Sequence, residues 1–454
     1  MISQFAINKP SSERKNEMSD AAVLCAAIDM RPFSFINGDG FKLFAKQLIT
    51  IGAEYGRNTN IEDVLPSRYT ISRHLSAIYD TLKERVINDI ISSEYFGSTC
   101  DHWIHDTYKT NYLTYTVQFI KDGRMISRVL GTRITINKTA ETTLKIIKDM
   151  EKEFKVNDKH ITYVTDNAAA MKLAFSNYDW IGCASHNLNL VQKHAFHIIG
   201  IVPELISINK LIDSAKELVT YVKQSAIQMQ LKEYHKTLKQ MIEIRWDSRV
   251  EMLESIKDNY ECLILMAENK DKIMDLIMHI EESLLTQLIN TLKPLRDSRI
   301  ELCSETSPTV HLVLPTKVKL LEHLNGDLND HPSIIYLKER LRNSIKWDFP
   351  ITDIHKCATL LTPIVKSLQR LLNDSEIRKI HKYLIKEMDK LQVSMVDTNT
   401  QSSESLSESC LGMFADNIHT IRPETSESEL NRYLNSNEII DPIKFWTQNT
   451  VNYP

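Results

Sequence analysis

The chain has 454 residues, of which 42% are hydrophobic, and this length suits about two or three packed domains. Only 11 residues are glycine, about 2% against an average near 7%, which argues against a turn-rich sandwich or propeller and for long helices. The net charge is −4, and the body is nearly neutral once the acidic segment 396–454 is set aside. A neutral body excludes a histone-like basic protein but leaves room for a local basic groove that binds nucleic acid.

The cysteines and the N-terminal segment indicate a protein of the cytosol or nucleus. The seven cysteines are odd in number and include no Cys-x-x-Cys pair, which is typical of reduced thiols. The apolar run from Ala21 to Ile28 follows acidic residues and is far shorter than the ~20 residues of a membrane span. We therefore expect no secretion signal, no membrane-spanning segment and no membrane partner.

The first third of the chain predicts helices followed by a small mixed sheet. Residues 1–30 are polar and are expected to be frayed. Residues 31–94 predict a small helical domain, broken at Pro66, after which a Ser or Thr can cap the next helix. In the segment 95–199, β-branched and aromatic runs alternate with helical spacing and predict the order βββαβαβ. Its predicted elements are Phe96–Ile104, Tyr112–Ile120, Met125–Ile134, the helix Thr139–Phe154, Ile161–Val164, the helix Ala168–Phe175, and Trp180–Ala184.

Strand signals stop after residue 199. Charged amphipathic segments over 200–395 predict an all-helical domain. Residues 396–410 are rich in Ser, Thr, Asp and Glu and predict a disordered linker, and 411–454 form a C-terminal segment. The predicted fold class is α+β, mostly α: a small helical domain, a βββαβαβ segment and a large helical domain.

Two aspartates of the predicted core are candidate metal ligands. Asp101 lies in the first strand and Asp166 just past the fourth, and in a ribonuclease-H-like core these two strands lie side by side. Hard carboxylate oxygens at one sheet edge hold Mg²⁺ or Mn²⁺, and a pair of such ions supports phosphodiester cleavage. Alternatively, each aspartate is an ordinary strand-end or cap residue, and Asp166 before Asn167 would be a good helix N-cap.

A series of motifs in register resembles the hAT superfamily of cut-and-paste DNA transposases, including the host proteins derived from them that carry a BED zinc finger. The resemblance covers about residue 31 to the end of the chain. The motifs are Arg31-Pro32-Phe33-Ser34, Gly40-Phe41, Pro66-Ser67-Arg68, Thr70-Ile71-Ser72, Cys100-Asp101-His102-Trp103, Thr165-Asp166-Asn167-Ala168-Ala169, Cys183-Ala184-Ser185-His186-Asn187-Leu188-Asn189-Leu190, Arg245-Trp246-Asp247-Ser248, Ser307-Pro308-Thr309, Leu312-Val313-Leu314-Pro315, Glu429-Leu430-Asn431-Arg432-Tyr433-Leu434, Asp441-Pro442, Phe445-Trp446 and Tyr453-Pro454.

The resemblance implies a ribonuclease-H-like core interrupted by a large helical insertion over 200–395. It also implies a catalytic Asp-Asp-Glu set, in which Asp101 and Asp166 match the two aspartates. The family glutamate belongs to a Ser/Ala-x-x-Glu-Arg-x-Phe-Ser motif beyond the segment that ends at Tyr453-Pro454. We therefore expect the third ligand to be absent, together with the C-terminal helices that support dimerisation. Loss of one carboxylate weakens metal affinity and the positioning that two-metal catalysis requires.

The resemblance also assigns roles outside the carboxylates. The family's BED finger needs Cys and His ligands, but residues 1–30 hold only Cys25, so we expect no such finger. Cys183 and His186 match a family Cys-x-x-His, for which we expect packing and active-site bracing; a zinc site using His194 or His197 is the alternative, disfavoured because a structural zinc needs four ligands. Trp246, with Arg245 beside it, matches a family tryptophan proposed to stack on DNA, although an aromatic residue at helical spacing is more often part of a core.

These expectations define one function and two alternatives. The first is a transposase-derived nuclear protein without catalysis, which binds DNA at terminal inverted repeats or host sites, binds Mg²⁺ or Mn²⁺ weakly, and forms at most a weakened homo-oligomer. The second is an active Mg²⁺-dependent transposase or nuclease whose chain is a truncated gene product. The third is a helical protein-interaction scaffold without affinity for DNA.

Overall fold

The computed structural model describes residues 9–56, 59–197, 200–225, 227–233, 237–242, 247–268, 271–403, 425–438 and 440–450. The chain divides into two compact units, unit 1 (residues 1–85) and unit 2 (residues 86–454). No helix in the described ranges is long and apolar enough to cross a membrane.

Unit 1 is helical. Its elements are α1 (Ser12–Ile28), a 3₁₀ turn (Phe33–Asn37), α2 (Asp39–Tyr55), α3 (Ile61–Val64) and most of α4 (Arg68–Ile91). The expectation that residues 1–30 are frayed is wrong for 12–28, because local polar contacts support a helix there: the Ser11 side chain accepts the Arg14 N–H, and Arg14 pairs with Glu17 at 2.6 Å. At α4 the Ser67 hydroxyl accepts the Thr70 N–H at 3.2 Å, which caps the helix directly after Pro66.

Unit 1 buries very little apolar surface. Ala26 is the only buried hydrophobic side chain among its described residues. Large apolar groups remain open to solvent, including Phe33 (78% exposed), Ile49 (71%) and Tyr69 (66%). Exposed apolar side chains favour burial against another surface where they form a contiguous patch.

Unit 2 begins with a five-stranded mixed sheet in the order β3-β2-β1-β4-β5. Its elements are β1 (Tyr95–Ile104), β2 (Asn111–Lys121), β3 (Arg124–Thr135), α5 (Ala140–Glu153), β4 (His160–Thr165), α6 (Ala169–Ala174) and β5 (Trp180–Gly182). Strands β1 to β3 form antiparallel pairs, whereas β4 is parallel to β1 and β5 is parallel to β4. The predicted element order βββαβαβ and the α+β, mostly helical class are confirmed.

One face of this sheet forms a core with α5, α6 and the end of α4. In β1 the side chains of Phe96, Ser98 and Cys100 are buried on that face, since alternate residues of a strand point to the same side. They join Ile90 and Ile147 from the helices. The intervening residues of β1, including Asp101, lie on the opposite face.

Nine helices follow the sheet in the described ranges up to residue 348. They are α7 (Ala184–Phe196), α8 (Ile206–Gln224), α9 (Ile227–Glu233), α10 (Asp247–Asp258), α11 (Tyr260–Ala267), α12 (Asp271–Met278), α13 (Glu282–Leu302), α14 (Val313–His323) and α15 (Pro332–Asp348). Their buried side chains form one core that runs from Leu188 to Phe349.

A separate core joins the last helices, α16 (Asp353–Leu360), α17 (Asp374–Ser403), α18 (Ser426–Asn435) and α19 (Pro442–Gln448). The Tyr433 hydroxyl donates to the Leu360 carbonyl at 3.0 Å, and the Trp446 indole donates to the Leu361 carbonyl at 2.9 Å. The C-terminal segment therefore packs on part of the region predicted as the insertion. Because α17 continues to Ser403, the first part of the expected linker 396–410 is helical; residues 404–424 lie outside the described residues.

Candidate functional site

The pairing of β1 with β4 brings the two candidate aspartates to the same edge of the sheet. In this parallel pair Thr99 lies opposite Val164, so Asp101 is level with Asp166, which directly follows β4. Since alternate strand residues share a face, the register also places both on the face opposite the core. The convergence follows from the backbone alone.

The electrostatics of Asp101 agree with this placement. Partial burial and then the negative charge of Asp166 raise the pKa of the Asp101 carboxyl, while His102 and His186 act in the opposite direction. Two like charges held together disfavour full ionisation of both, which is the situation that a bound divalent cation relieves.

Asp166 also has a local structural role. Its Oδ1 accepts the N–H of Ala168 at 3.0 Å, in the turn that starts α6. The residue at the N-cap position is Ala168 rather than Asp166, so the expectation of an N-cap at Asp166 is wrong by two residues. One carboxylate oxygen is therefore used by the turn, and the other has no hydrogen-bond role in that turn.

Cys183 and His186 lie beside the aspartates at the start of α7. The N–H of Cys183 donates to the Thr165 carbonyl at 2.7 Å, one residue before Asp166, and Cys183 occupies the N-cap position of α7. Burial raises the pKa of the Cys183 thiol, so it is protonated at neutral pH. The His186 ring is close enough for its charge to lower the pKa of Asp101.

A close contact next to this turn explains why residue 182 is a glycine. A side-chain carbon at Gly182 would meet the Oδ1 of Asn167 at 2.6 Å, which is closer than such atoms approach. Asn167 in turn donates through Nδ2 to the Oδ1 of Asn187 in α7. Gly182 therefore lets α7 lie directly against the turn that carries Asp166.

On the core face of the sheet, a fully buried glutamate ties α5 to two strands. Glu151 is 0% exposed, and its Oε1 accepts the hydroxyls of Tyr115 on β2 at 2.8 Å and Tyr163 on β4 at 2.7 Å. Lys148 donates to its Oε2 at 2.8 Å and to the Tyr163 oxygen at 2.7 Å. This hydrogen-bonded cluster fixes β2 and β4 on the two sides of β1, the strand that carries Asp101.

The structure does not place every candidate site residue beside the two aspartates. Trp246 and Arg245 lie outside the described residues, and of the same motif Asp247 forms an ion pair with Arg299. Within the described ranges no group of three or more His, Cys, Asp or Glu side chains is arranged to hold a metal ion. The site visible there is thus a pair of carboxylates with Cys183 and His186 beside them.

Comparisons with known proteins add what the geometry alone does not give. Residues 10–70 match the family model of the Hermes transposase DNA-binding domain. The chain is 29% identical over 352 residues to the Hobo transposable element transposase of Drosophila melanogaster, an alignment that covers 75% of this chain and 52% of that protein. Both similarities are to transposases of the hAT family.

A second similarity is to zinc finger protein 618 of Mus musculus and of Homo sapiens, each 26% identical over 360 residues. That alignment covers 78% of this chain and 37% of the relative. The chain thus spans about half of the Hobo transposase and little more than a third of zinc finger protein 618.

The N-terminal helices have a significance that the residue pattern does not predict. The sequence predicts a frayed terminus over 1–30 and a helical domain without an assigned role over 31–94, whereas the match to a DNA-binding domain spans 10–70. The available signal is that the motif Arg31-Pro32-Phe33-Ser34 and the motif Pro66-Ser67-Arg68 both fall inside this segment. Neither motif contains the Cys and His ligands that a zinc finger requires.

Removal of the buried glutamate is expected to destabilise unit 2. The variant Glu151→Ala leaves two tyrosine hydroxyls without their acceptor and Lys148 without its carboxylate, so we expect unfolding to become easier by about 3–5 kcal/mol. Urea denaturation followed by circular dichroism measures this. Asp149→Ala on the exposed side of the same helix is the control, with an expected change within about 0.5 kcal/mol. Equal effects of the two substitutions would show that the cluster has no stabilising role.

Proposed function

We propose that this chain is a nuclear DNA-binding protein derived from a hAT transposase, whose sheet edge holds a divalent cation. The observation that carries the proposal is the match of residues 10–70 to a transposase DNA-binding domain in a chain related to the Hobo transposase. We propose a nuclear location because the proposed partner is DNA. Terminal inverted repeats and host sites both remain candidate targets.

The sheet supports a ribonuclease-H-like core. Three consecutive antiparallel strands, then a helix and a fourth strand parallel to the first, give the order 3-2-1-4-5. This is the arrangement that a ribonuclease-H-like nuclease requires to bring carboxylates of the first and fourth strands together. Asp101 and Asp166 occupy those two positions.

The donor set at this edge suits Mg²⁺ or Mn²⁺. Carboxylate oxygens are the ligands these cations prefer, and the pKa of Asp101 is raised by partial burial and then by the negative charge of Asp166, which a cation would compensate. Asp101 and the free oxygen of Asp166 would hold the ion. When bound, such an ion supplies charge neutralisation and an activated oxygen nucleophile for phosphodiester chemistry. The role of Cys183 and His186 in this proposal is to brace the turn beside Asp166.

We propose that catalysis is absent, since only two carboxylates meet in the described part of the chain and two-metal cleavage depends on a fuller ligand set. An active Mg²⁺-dependent transposase is the second candidate, and the 29% identity to the Hobo transposase favours it. Trp246 and Arg245 remain proposed DNA contacts in either case.

Loss of basic side chains from the matched segment should weaken DNA binding. Lys46 and Arg68 are exposed within residues 10–70. Each phosphate contact contributes about 0.9 to the slope of log affinity against log salt concentration. For the double variant Lys46→Ala/Arg68→Ala we expect the slope of log affinity against log salt to fall by about 2. Fluorescence anisotropy on a random-sequence duplex measures the slope.

The matched control for this experiment is Lys319→Ala/Arg378→Ala, which removes the same charge from exposed positions of unit 2. An unchanged slope in the first variant would exclude these DNA contacts. Absence of DNA binding by the unsubstituted chain would overturn the proposed function and favour a scaffold.

Metal binding should depend on pH through Asp101. Only the ionised carboxylate binds the cation, and the pKa of Asp101 lies above its ordinary value of about 3.9. We therefore expect Mn²⁺ affinity to be fully present well above the raised pKa and to fall as the pH is lowered through it, earlier than for an ordinary aspartate. Calorimetric Mn²⁺ titrations at a series of pH values, from neutral pH down to the ordinary pKa of aspartate, measure this, with the unsubstituted chain checked for folding at each pH.

The variant Asp101→Asn should abolish Mn²⁺ binding and leave DNA affinity intact or slightly higher, because a negative charge near the phosphate path is lost. Asp106→Asn in the exposed β1–β2 loop is the control and should bind as before. Mg²⁺-dependent nicking of supercoiled plasmid that Asp101→Asn removes would instead establish the active transposase.

We also propose that copies of the chain associate through unit 1. Its exposed apolar side chains favour burial against another protein surface, and a second copy is present at equal concentration. Sedimentation velocity should show a concentration-dependent oligomer that Ile49→Asp weakens, while Ile364→Asp, at an exposed position of unit 2, does not. A monomer at all concentrations would exclude this association.

A further inference from the structure

An aromatic pair lies on the open face of the sheet, beside the candidate metal site. Trp103 follows Asp101 by two residues in β1 and lies directly opposite Tyr112 in β2. The two rings are stacked, with centroids 4.5 Å apart and planes 16° from parallel. Trp103 is 41% exposed, so part of the indole is open to solvent.

Hydrogen bonds fix the orientation of the indole. Its Nε1 donates to the Thr114 hydroxyl oxygen at 3.0 Å, and Thr114 shares a second hydrogen bond of 3.0 Å with Thr132 on β3. Thr114 is also the residue directly opposite Asp101 in the β1–β2 register. The side chain that holds the indole therefore belongs to the same cross-strand row as the candidate metal ligand.

The register thus sets two neighbouring rows across the first three strands. One row is polar and contains Asp101 and Thr114; the next is apolar and contains Trp103, Tyr112 and, on β3, Ile134, which is 66% exposed. Residues two apart along a strand are separated by about 6.7 Å. A phosphate held at the polar row would leave its own base within reach of the apolar row.

The other tryptophans for which a hydrogen bond is described are placed differently. Trp180 donates to the Thr165 hydroxyl, and Trp446 lies within the last helical core, where its indole donates to a backbone carbonyl. A cross-strand aromatic pair stabilises a sheet by about 0.2–1 kcal/mol, and this would account for the stack alone. It does not account for a partly exposed indole that is held by Thr114 next to a pair of carboxylates.

We propose that Trp103 and Tyr112 form a platform on which an unpaired DNA base stacks when its phosphate lies at a divalent cation held by Asp101 and Asp166. This inference rests on the proposed function and adds a base-contacting surface distinct from Trp246. An aromatic ring accepts any base, since every base has a π face, so the platform selects unstacked nucleotides rather than a sequence.

The test uses the full chain, Mg²⁺, and two DNA probes: a blunt duplex and the same duplex with a three-nucleotide single-stranded end that carries 2-aminopurine. We expect tighter binding of the probe with the single-stranded end and quenching of its 2-aminopurine. Trp103→Leu should remove the quenching and weaken binding of that probe by about five- to 150-fold, with the blunt duplex unaffected. Trp103→Phe, which keeps a stacking ring, should retain most of the quenching.

The matched control is Trp347→Leu, which removes an 85% exposed tryptophan from α15 and should change neither probe. Tyr112→Leu repeats the test from the other side of the stack in case Trp103→Leu does not fold. Quenching that survives in folded Trp103→Leu or Tyr112→Leu, while the chain binds DNA, would overturn the platform alone. Failure of the unsubstituted chain to bind either probe would overturn the platform and the proposed function together.

Discussion

The parallel pairing of β1 with β4 is the constraint on which the candidate site depends. Five residue pairs, from Tyr95 with His160 to Thr99 with Val164, fix the two strands in register. A slip by one residue would turn every side chain of one strand to the other face, so Asp101 and Asp166 would no longer share a surface. A slip of β4 would also turn Asp166 towards the core and Tyr163 away from it. The hydrophobic pattern of the core therefore also holds the two carboxylates together.

The carboxylates of Asp101 and Asp166 repel each other, and the surrounding structure holds their strands in place. The Glu151 cluster joins β2 and β4 from the core face, and the close contact at Gly182 seats α7 against the turn of Asp166. Both features are rigid, because they consist of buried hydrogen bonds and close packing. Strand ends with such support hold the two carboxylates in place against this repulsion.

Much of the sheet and of the candidate site can be predicted from the sequence, because the sheet segments are rich in β-branched and aromatic residues with the alternation that is typical of strands. The five strands are predicted within a residue or two at their ends, and their order brings Asp101 and Asp166 to one edge of the sheet, with Cys183 and His186 beside them. The metal-binding role of the two aspartates stays a prediction. The Glu151 cluster was not predicted, since a glutamate in a charged amphipathic helix suggests a solvated face. Its spacing of four residues from Ile147, which is fully buried, was the available signal.

Other features depend on information that periodicity does not carry. Helix α1 has little apolar periodicity and is supported by a cap and an ion pair, so its composition alone suggested a frayed end. The grouping of α16 and α17 with the C-terminal helices depends on long-range contacts such as that from Tyr433 to the Leu360 carbonyl. Neither the spacing within a helix nor the order of helices specifies which helices share a core.

In the proposed function two regions contact DNA, and their contributions to the free energy of DNA binding have opposite signs. Basic side chains of residues 10–70 gain free energy from phosphates by releasing counterions, whereas Asp101 and Asp166 repel phosphate until a cation neutralises them. DNA binding therefore does not require the carboxylates, and a lost catalytic ligand would leave it intact. Retention of both aspartates at the sheet edge would then matter only where a nucleotide is held beside a metal ion. In that setting the exposed indole of Trp103, stacked on the half-buried Tyr112, has a function that the stability of the β1–β2 pair alone does not require.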